Sequence, residues 1–203
     1  MAGFGPDGRM WNAHMGRSAY IRQMDVTGFA TFETAIGVCG LAWSQAGLAA
    51  VRLPYASAEE MRRRLSDVFP GASEAEPPPE FADMVEDVRA LLRGEPRSFA
   101  GVRFDLSAVS DFNRRVYEVA LTIAPGETLT YGEVAARLGE PGAARAVGRA
   151  LGENPFPIVI PCHRVLAAGG RKGGFSAPGG PETKLRLLEI EGALRPETLP
   201  LFR

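Results

Sequence analysis

Residues 155–165 read PFPIVIPCHRV, and this segment restricts the fold more than any other part of the chain. Its apolar run, residues 158–160, is typical of a buried strand, which should either continue apolar or end at a turn. Pro161 interrupts a strand here, because proline has no backbone N–H to donate to a neighbouring strand. The run therefore ends on the most reactive pair of side chains in the sequence, Cys162 and His163, and we expect this pair to lie in a turn at the floor of a pocket.

A cysteine followed by a histidine suits nucleophilic chemistry. The thiolate is the reactive form of cysteine, so Cys162 needs a lowered pKa or a nearby base, and His163 can provide either. Adjacent side chains of an extended chain point to opposite faces, so the histidine would contact the thiol directly or through one water molecule. The residues alone also allow a plainer interpretation, in which Cys162 is a small buried hydrophobic side chain and His163 a satisfied, partly buried imidazole.

A catalytic imidazole usually needs a carboxylate to orient it. The last predicted helix, ETKLRLLEIE, offers Glu182, Glu189 and Glu191, and the sequence alone does not distinguish them. Helical spacing places Lys184, Leu188 and Glu191 on one face of that helix.

The composition is typical of a globular chain with free thiols. The 203 residues are 45% hydrophobic and 23% charged, enough for one large or two small domains. No apolar run reaches the roughly 20 residues of a membrane helix, and the first 25 residues lack the apolar core of a signal peptide. Two cysteines are too few for a disulfide scaffold, and Cys39, Cys162, His14 and His163 make no convincing zinc site. We expect a cytoplasmic protein with no bound metal and no membrane partner.

The first half of the chain is predicted to be a small domain, residues 26–106, preceded by a loose extension of residues 1–25. No residue of this domain suggests chemistry. Its predicted elements are a hairpin within residues 31–53, a helix that begins at the capping-box residues Ser57 and Glu60, a stiff linker at 74–80 and a second helix at about 80–93.

The second half, residues 107–203, is predicted to be mainly helical. Ser110 begins a helix whose apolar residues recur at helical spacing. Residues 130–133 form a second capping box, Gly139 ends the helix that it opens, and the alanine- and glycine-rich residues 143–152 form the next helix. Two short helices joined by a turn are typical of a helix-turn-helix, although the same pattern is common in ordinary helical corners.

Charge is distributed unevenly along the chain, although the net charge is only −1. Residues 1–106 carry 11 basic and 14 acidic side chains, whereas residues 107–203 carry 12 and 10. Residues 131–172 hold six basic side chains, among them Arg145 and Arg149, against three acidic ones. From these counts alone ordinary surface charge is the simpler interpretation, and a footprint for a polyanion is the sharper one.

Several of these motifs together resemble one protein family. The central motif is IPCHRV, with Asn154-Pro155 before it and Glu191-Gly192 after it. The segments DFNRRVYEVALTIAPGETLTYGEVAARLG, AARAVGRALGENPFPIVIPCHRV and KLRLLEIEG match the pattern of the O6-alkylguanine-DNA alkyltransferases, also called methylated-DNA–protein-cysteine methyltransferases. The resemblance covers residues 107–195 closely and residues 31–106 faintly.

The fold that this resemblance implies is α+β. A small N-terminal α/β domain, made of a hairpin or sheet plus helices, would precede a mainly helical C-terminal domain. The second domain would carry a winged helix-turn-helix-like motif for binding DNA.

The resemblance also implies a role for each residue around the cysteine. Cys162 resembles the alkyl acceptor, and His163 resembles a base that acts through a water molecule. Glu191 matches the carboxylate of this triad, because the family places it directly before the glycine that ends the helix. Asn154 resembles the residue that ties the cysteine turn to the helix-turn-helix. Tyr131 resembles the residue that donates a proton to the leaving guanine and helps to rotate its phosphate.

A surface for DNA and a pocket for the damaged base are implied in the same way. Arg145 resembles the arginine that takes the place of a flipped base in the stack, whereas Arg164 would mainly support the cysteine turn. The surface expected to meet DNA comprises Tyr131, Ala144, Arg145, Ala146, Gly148 and Arg149, and the pocket is expected to be lined by Pro157, Val165, Phe175 and Ser176.

The implied function is repair of double-stranded DNA that contains O6-alkylguanine, with O4-alkylthymine as a second candidate substrate. The protein would act as a monomer, use no cofactor and keep the alkyl group on Cys162 after a single turnover. A non-catalytic lesion sensor or regulator is the alternative, although silent relatives carry tryptophan at the acceptor position. A Cys-His-Glu hydrolase would need an oxyanion hole, for which the sequence offers no clear candidate. The loop SAPGGPETK is two residues longer than the common form, and the zinc-binding residues of some animal relatives are absent.

Overall fold

The computed structural model describes residues 24–170 and 179–193, which form an α+β fold. A four-stranded sheet and two helices come first, and a helical part with a short parallel strand pair follows. The fold class expected from the sequence is confirmed. In chain order the elements are β1 (Val26–Thr34), β2 (Gly37–Ser44), β3 (Gly47–Arg52), α1 (Ala58–Val68), β4 (Ser73–Glu74), α2 (Pro79–Leu91), α3 (Asp111–Leu121), β5 (Leu129–Thr130), α4 (Tyr131–Arg137), α5 (Ala144–Gly152), β6 (Val165–Leu166) and α6 (Gly180–Ile190).

The four-stranded sheet has the order β3-β2-β1-β4. Strands β1 and β2 pair antiparallel, as do β2 and β3, and β4 adds a short parallel pairing to β1. Gly47 begins β3 with a φ of +146°, and a side chain there would come within 2.5 Å of the carbonyl oxygen of Arg103, so glycine is required. The predicted hairpin is confirmed as β2 and β3, and β1 is an additional strand that the sequence did not reveal.

The helices of the first half agree with the prediction except at their ends. The Ser57 hydroxyl caps α1 by accepting a hydrogen bond from the Glu60 backbone at 3.1 Å. The Glu60 carboxylate accepts a hydrogen bond from Arg64 at 2.8 Å rather than one from the Ser57 backbone. The bounds predicted for the linker, 74–80, are wrong at both ends. Its first residue belongs to β4, and α2 already begins at Pro79.

Helices α3 and α4 of the second half begin where the sequence predicted, whereas α6 begins two residues before the predicted Glu182. The Ser110 hydroxyl caps α3 by accepting a hydrogen bond from the Asn113 backbone at 3.3 Å. At α4 both bonds of the capping box are present, since Thr130 accepts from the Glu133 backbone at 3.2 Å and the Glu133 carboxylate accepts from the Thr130 backbone at 2.6 Å. Gly139 then has a φ of +77°, which lets the chain turn sharply after α4. Helices α4 and α5 pack against each other and against α3, as the predicted helix pair requires.

The short strand pair brings two distant parts of the second half together. Leu129 pairs with Val165, and Thr130 pairs with Leu166, in parallel. Tyr131 directly follows β5, and Cys162 lies just before β6, so the pairing draws these two residues into one neighbourhood.

One apolar core runs through both halves of the chain. Its buried members include Val51 and Val85 from the first half and Val116 and Phe156 from the second. The ring of Phe104, in the connection between the halves, packs edge-on against Phe156 with centroids 4.9 Å apart. None of the described helices combines the length and the apolar character that crossing a membrane requires.

Candidate active site

The segment that carries Cys162 folds as a compact turn and not as the strand that its apolar residues suggested. Two local backbone hydrogen bonds close the turn, from Ile160 to Phe156 and from Cys162 to Ile160, both at 2.8 Å. Ile158 has a φ of +73°, the one positive φ outside glycine among the described residues. A β-branched side chain in this region of backbone space costs on the order of 1–3 kcal/mol.

The turn is held to the end of α5 by Asn154, which is buried. The Asn154 side-chain amide donates a hydrogen bond to the Ile160 carbonyl at 2.9 Å, and its oxygen accepts one from the Phe156 backbone at 2.9 Å. The first half of the chain reaches the same segment, since the Val51 backbone at the edge of β3 donates to the Pro155 carbonyl at 2.9 Å. This turn, residues 155–165, is called the acceptor turn below. It is fixed by the helical pair on one side and by the sheet on the other.

A single turn of 3-10 helix, Cys162–Arg164, presents the histidine to a carboxylate. His163 is fully buried, and its Nε2 lies 3.0 Å from Oε1 of Glu191 at the end of α6. The other two candidate carboxylates, Glu182 and Glu189, are exposed. The carboxylate that the family resemblance selected, Glu191, is thus the one that lies next to His163.

Glu191 is ionised despite its burial. Burial alone would raise the pKa of its carboxyl group, but hydrogen bonds from His163 and Arg164 outweigh that effect and lower the pKa to about 2. An ionised carboxylate only accepts hydrogen bonds, so Nε2 of His163 carries the proton between them.

Nδ1 of His163 therefore carries no proton and has a lone pair available. The atom is buried and has no hydrogen-bond partner within the described residues. Burial lowers the pKa of the imidazole, while Glu191 acts to raise it and the charges of Arg164 and Lys184 act to lower it, and the net result is a lowered pKa. At neutral pH His163 is therefore a neutral imidazole whose free nitrogen can accept a proton.

Arg164, which the family resemblance assigned to support of the cysteine turn, and Lys184, to which no role was assigned, complete the site. Arg164 is 3% exposed and grips Glu191 through Nε and Nη2, each at 2.8 Å. Lys184 is fully buried and donates to the Val165 carbonyl at 2.6 Å, with its Nζ 5.8 Å from the centre of the Tyr131 ring. Helical spacing had put Lys184 and Glu191 on one face of α6, which was the signal available in the sequence.

Tyr131 and Lys184 lie close enough to Cys162 for its charge to affect their pKa values. Burial raises the pKa of Tyr131, and the negative charge of an ionised Cys162 raises it further. Burial lowers the pKa of Lys184 to about 8, and the same charge on Cys162 opposes that shift. Cys162 itself is 8% exposed, so little of it reaches solvent in this state.

The predicted DNA-facing residues lie on and beside α5. Arg145 and Arg149 are exposed and make no hydrogen bond or ion pair with any described residue, whereas Ala144, Ala146 and Gly148 are half-buried. The small face of α5 approaches Tyr131, because a Cβ built on Gly148 would stand 3.9 Å from its ring. Within the described part of the chain, nothing holds the two arginines back from a partner.

The predicted pocket residues are only partly described. Pro157 and Val165 are buried, and Val165 packs in the apolar core while its carbonyl serves Lys184. Phe175 and Ser176 lie outside the described residues, as do the first three residues of the loop at 176–184 that was predicted to be longer than usual.

The second cysteine offers no competing nucleophile. Cys39 is fully buried in β2, and burial raises the pKa of its thiol to about 12, with only a weak opposing contact from Thr34. The described residues contain no group of three histidine, cysteine, aspartate or glutamate side chains arranged to hold a metal ion.

Known proteins are similar to this chain in sequence. Residues 111–193 match the family model described as 6-O-methylguanine DNA methyltransferase, DNA binding domain. The chain is 39% identical over 174 residues to a methylated-DNA–protein-cysteine methyltransferase of Mycobacterium bovis, covering 86% of this chain and 98% of the relative. A protein of the same name from Methanothermobacter thermautotrophicus is 37% identical over 153 residues, 75% of this chain and 78% of its own length.

Solved structures agree with these matches. The crystal structure of a Mycobacterium tuberculosis protein named OGT in complex with DNA aligns with a TM-score of 0.66 at 37% identity, covering 82% of this chain and 94% of that one. The O6-methylguanine-DNA methyltransferase of Pyrococcus kodakaraensis aligns with a TM-score of 0.62 at 29% identity, covering 81% and 99%.

Proposed function

The chain belongs to the methylated-DNA–protein-cysteine methyltransferase family, and we propose that Cys162 is the cysteine on which it takes up the alkyl group. The function of the family is DNA repair by transfer of an alkyl group from damaged DNA to a cysteine of the protein itself. The observation that carries the assignment is the buried pair of Glu191 and His163, the residue directly after Cys162, with Nδ1 of the imidazole lacking a hydrogen-bond partner among the described residues. Burial raises the pKa of the Cys39 thiol to about 12, so that thiol stays protonated at neutral pH.

The chemical step is a displacement at carbon. A bond forms between Cys162 Sγ and the alkyl carbon while the bond from that carbon to O6 of guanine breaks. The thiol proton passes to Nδ1 of His163, directly or through one water molecule, and the Nε2 proton stays hydrogen-bonded to Glu191. Glu191 stabilises the imidazolium that forms, because its carboxylate is ionised.

The leaving guanine must also gain a proton, and Tyr131 fits this task. Its raised pKa keeps the phenol protonated at neutral pH, so the hydroxyl can donate to the departing base. The net reaction converts a thiol and an O6-alkylguanine into a thioether and guanine. Because a thioether has no leaving group that water can displace readily, each chain acts once.

Access to the base requires that the nucleotide leave the helix. Flipping costs a few kcal/mol, and a side chain that fills the gap lowers this cost. We assign that task to Arg145 at the start of α5, whose exposed guanidinium pairs with no described residue and can stack on bases and donate hydrogen bonds. Arg149, one turn later, would contact a phosphate.

The assignment is tested by the mass of the protein after incubation with duplex DNA that carries a labelled O6-methylguanine. One methyl group per chain should appear on Cys162, and Cys162→Ala should gain none while it still binds the duplex. Cys39→Ala is the matched control and should transfer normally. Sustained turnover, or a methyl group on Cys39, would contradict the proposal, and binding without transfer would favour the lesion sensor.

We further propose that the protein acts in the cytoplasm and as a monomer. Both the DNA substrate and a reduced Cys162 are needed, and a reducing compartment that contains DNA satisfies both conditions.

A further inference from the structure

We propose that Arg164 is a positioning residue that fixes the Glu191 carboxylate and keeps His163 neutral, so that the imidazole is ready to accept a proton. The proposal rests on the function proposed above and assigns to Arg164 a task beyond support of the turn. Its basis is that the guanidinium and the imidazole compete for the same carboxylate.

The contacts show why Glu191 can adopt only one orientation. Arg164 Nη2 donates to Oε1 at 2.8 Å, and Nε donates to Oε2 at 2.8 Å, which is the two-point pairing that guanidinium and carboxylate groups favour. Nη1 is anchored on the Ile123 carbonyl at the end of α3. Since His163 uses Oε1 as well, the plane that Arg164 imposes also determines where the imidazole hydrogen bond forms.

The charges around His163 explain the second part of the task. The charged groups that act on it are Glu191 and Lys184 from α6 and Arg164 from its own turn, whereas Tyr131 of α4 lies close to the neighbouring Cys162. A buried carboxylate alone would favour an imidazolium, because the charged pair would be hydrogen-bonded away from water. Arg164 already neutralises that carboxylate, so a second positive charge on His163 gains little and is repelled by Arg164 and Lys184.

Apart from Glu191, no carboxylate of the described residues forms an ion pair with Arg164. Arg97 lines a small cavity behind the turn together with Pro161 and Arg164, and it is itself paired with Asp87 at 3.2 Å and with Glu95 at 2.7 Å. Among the described residues, Glu191 is therefore the carboxylate on which the charge of Arg164 acts.

Removal of the guanidinium should consequently make the imidazole easier to protonate before the reaction starts. In Arg164→Met the full charge of Glu191 acts on His163, and the imidazole pKa should rise by about one unit or more, a tenfold change in the protonation equilibrium. Transfer should then slow at neutral pH and recover as the pH is raised, because the limb of the rate profile that reports His163 moves upward with its pKa.

Imidazole NMR measures this effect directly, because the chain has two histidines, His14 and His163. In a His14→Gln background one ring signal remains, and its titration can be followed in the parent, Arg164→Met and Arg164→Lys. The lysine variant keeps the charge without the two-point contact, so its imidazole should titrate near the parent while transfer is slower. Arg186→Met, an exposed arginine on α6, is the charge-matched control and should leave both readouts unchanged.

A second pair of variants avoids a buried unpaired carboxylate, in case Arg164→Met does not fold. Glu191→Gln is compared with Glu191→Gln/Arg164→Met, and loss of the arginine charge should again raise the imidazole pKa. Equal titration within this pair, or in Arg164→Met and its folded parent, would overturn the proposal. The NMR readout needs no DNA, so a failure of alkyl transfer in the parent would count against the proposed function and leave this inference standing.

Discussion

The acceptor turn and the exposed face of α5 lie within one half of the chain, yet they are built in opposite ways. In the turn, His163 is 0% exposed, and Asn154 and Arg164 are each 3% exposed. Their polar atoms are engaged by other parts of the protein, apart from Nδ1 of His163. On α5, Arg145 and Arg149 are exposed and have no partner among the described residues.

The difference follows from what each region must do. A proton acceptor and its carboxylate must be held in one geometry, and burial strengthens their interaction because little water competes. A surface that captures DNA needs donors that are still free, because phosphates and bases provide the acceptors. Substitutions in the turn should therefore change the rate of transfer, whereas substitutions on α5 should change how duplex DNA is held.

The largest effect is expected from loss of the buried pair. His163→Ala and Glu191→Gln should slow transfer by roughly 10²–10⁴-fold, the usual contribution of a general base, while the Kd for duplex DNA stays nearly constant. Single-turnover rates at saturating DNA and a binding titration measure the two quantities separately. Glu189→Gln, an exposed carboxylate on the same helix, is the control. Equal loss of rate and affinity would mean that the pair is structural.

The same pair should make stability depend on pH. The pKa of Glu191 is lowered to about 2 in the folded protein, and in the unfolded chain it is close to 4.5. The unfolded state therefore binds more protons between these values, so this contribution is fully present above about pH 4.5 and is lost as the pH falls toward 2. It amounts to on the order of 3 kcal/mol. The free energy of unfolding, measured with denaturant across this pH range, should depend less steeply on pH in Glu191→Gln than in Glu189→Gln. Equal slopes for the two variants would refute the coupling.

Arg145 tests the opposite side of the comparison. If its guanidinium holds the flipped state, Arg145→Ala should slow transfer from duplex DNA by about tenfold or more, even at saturating DNA, since flipping costs a few kcal/mol. Transfer from free O6-benzylguanine, which needs no flipping, should be nearly unchanged. Arg149→Ala is the matched control and should weaken affinity without a rate defect at saturation. A defect in Arg145→Ala that added DNA removes would reduce its role to a phosphate contact.

The two regions also differ in how far the sequence predicted them. Both bonds of the capping box at Thr130 and Glu133 are present, because caps depend on residues a few positions apart. Strand β1 was missed, since most of its residues are buried and the run shows little alternation of polar and apolar positions. Residues 158–160 were wrongly read as a strand, because their apolar character matches one and the local hydrogen bonds that close the turn leave no pattern in the sequence.

Within the site, resemblance supplied what local rules could not. The family pattern selected Glu191 from three carboxylates on one helix, and the structure brings that residue to His163. The grip of Arg164 on Glu191 and the burial of Lys184 were not anticipated, because both depend on how α6 packs against the turn. Spacing can place residues on one face of a helix, but it does not identify the neighbour that this face meets.

The smallest expected effect concerns the strain stored in the acceptor turn at Ile158. Truncation to alanine or glycine removes a fully buried side chain, which by itself costs about 2–5 kcal/mol in either variant. The two variants differ in backbone preference, because the φ of +73° penalises alanine by roughly 1–2 kcal/mol and does not penalise glycine. At an ordinary position glycine is instead the less stable of the two by roughly 0.5–1 kcal/mol, owing to its greater freedom in the unfolded chain.

Val159 is the matched control, since it is equally buried and does not have a positive φ. Denaturant unfolding should show Val159→Gly to be less stable than Val159→Ala. At the other position, Ile158→Gly should be as stable as Ile158→Ala or more stable. The same order at both positions would mean that the turn stores no backbone strain. If the expected reversal is observed and Ile158→Gly also transfers methyl groups more slowly than Ile158→Ala, the strained isoleucine is part of what holds Cys162 in position, because only the freedom of the turn then distinguishes the two variants.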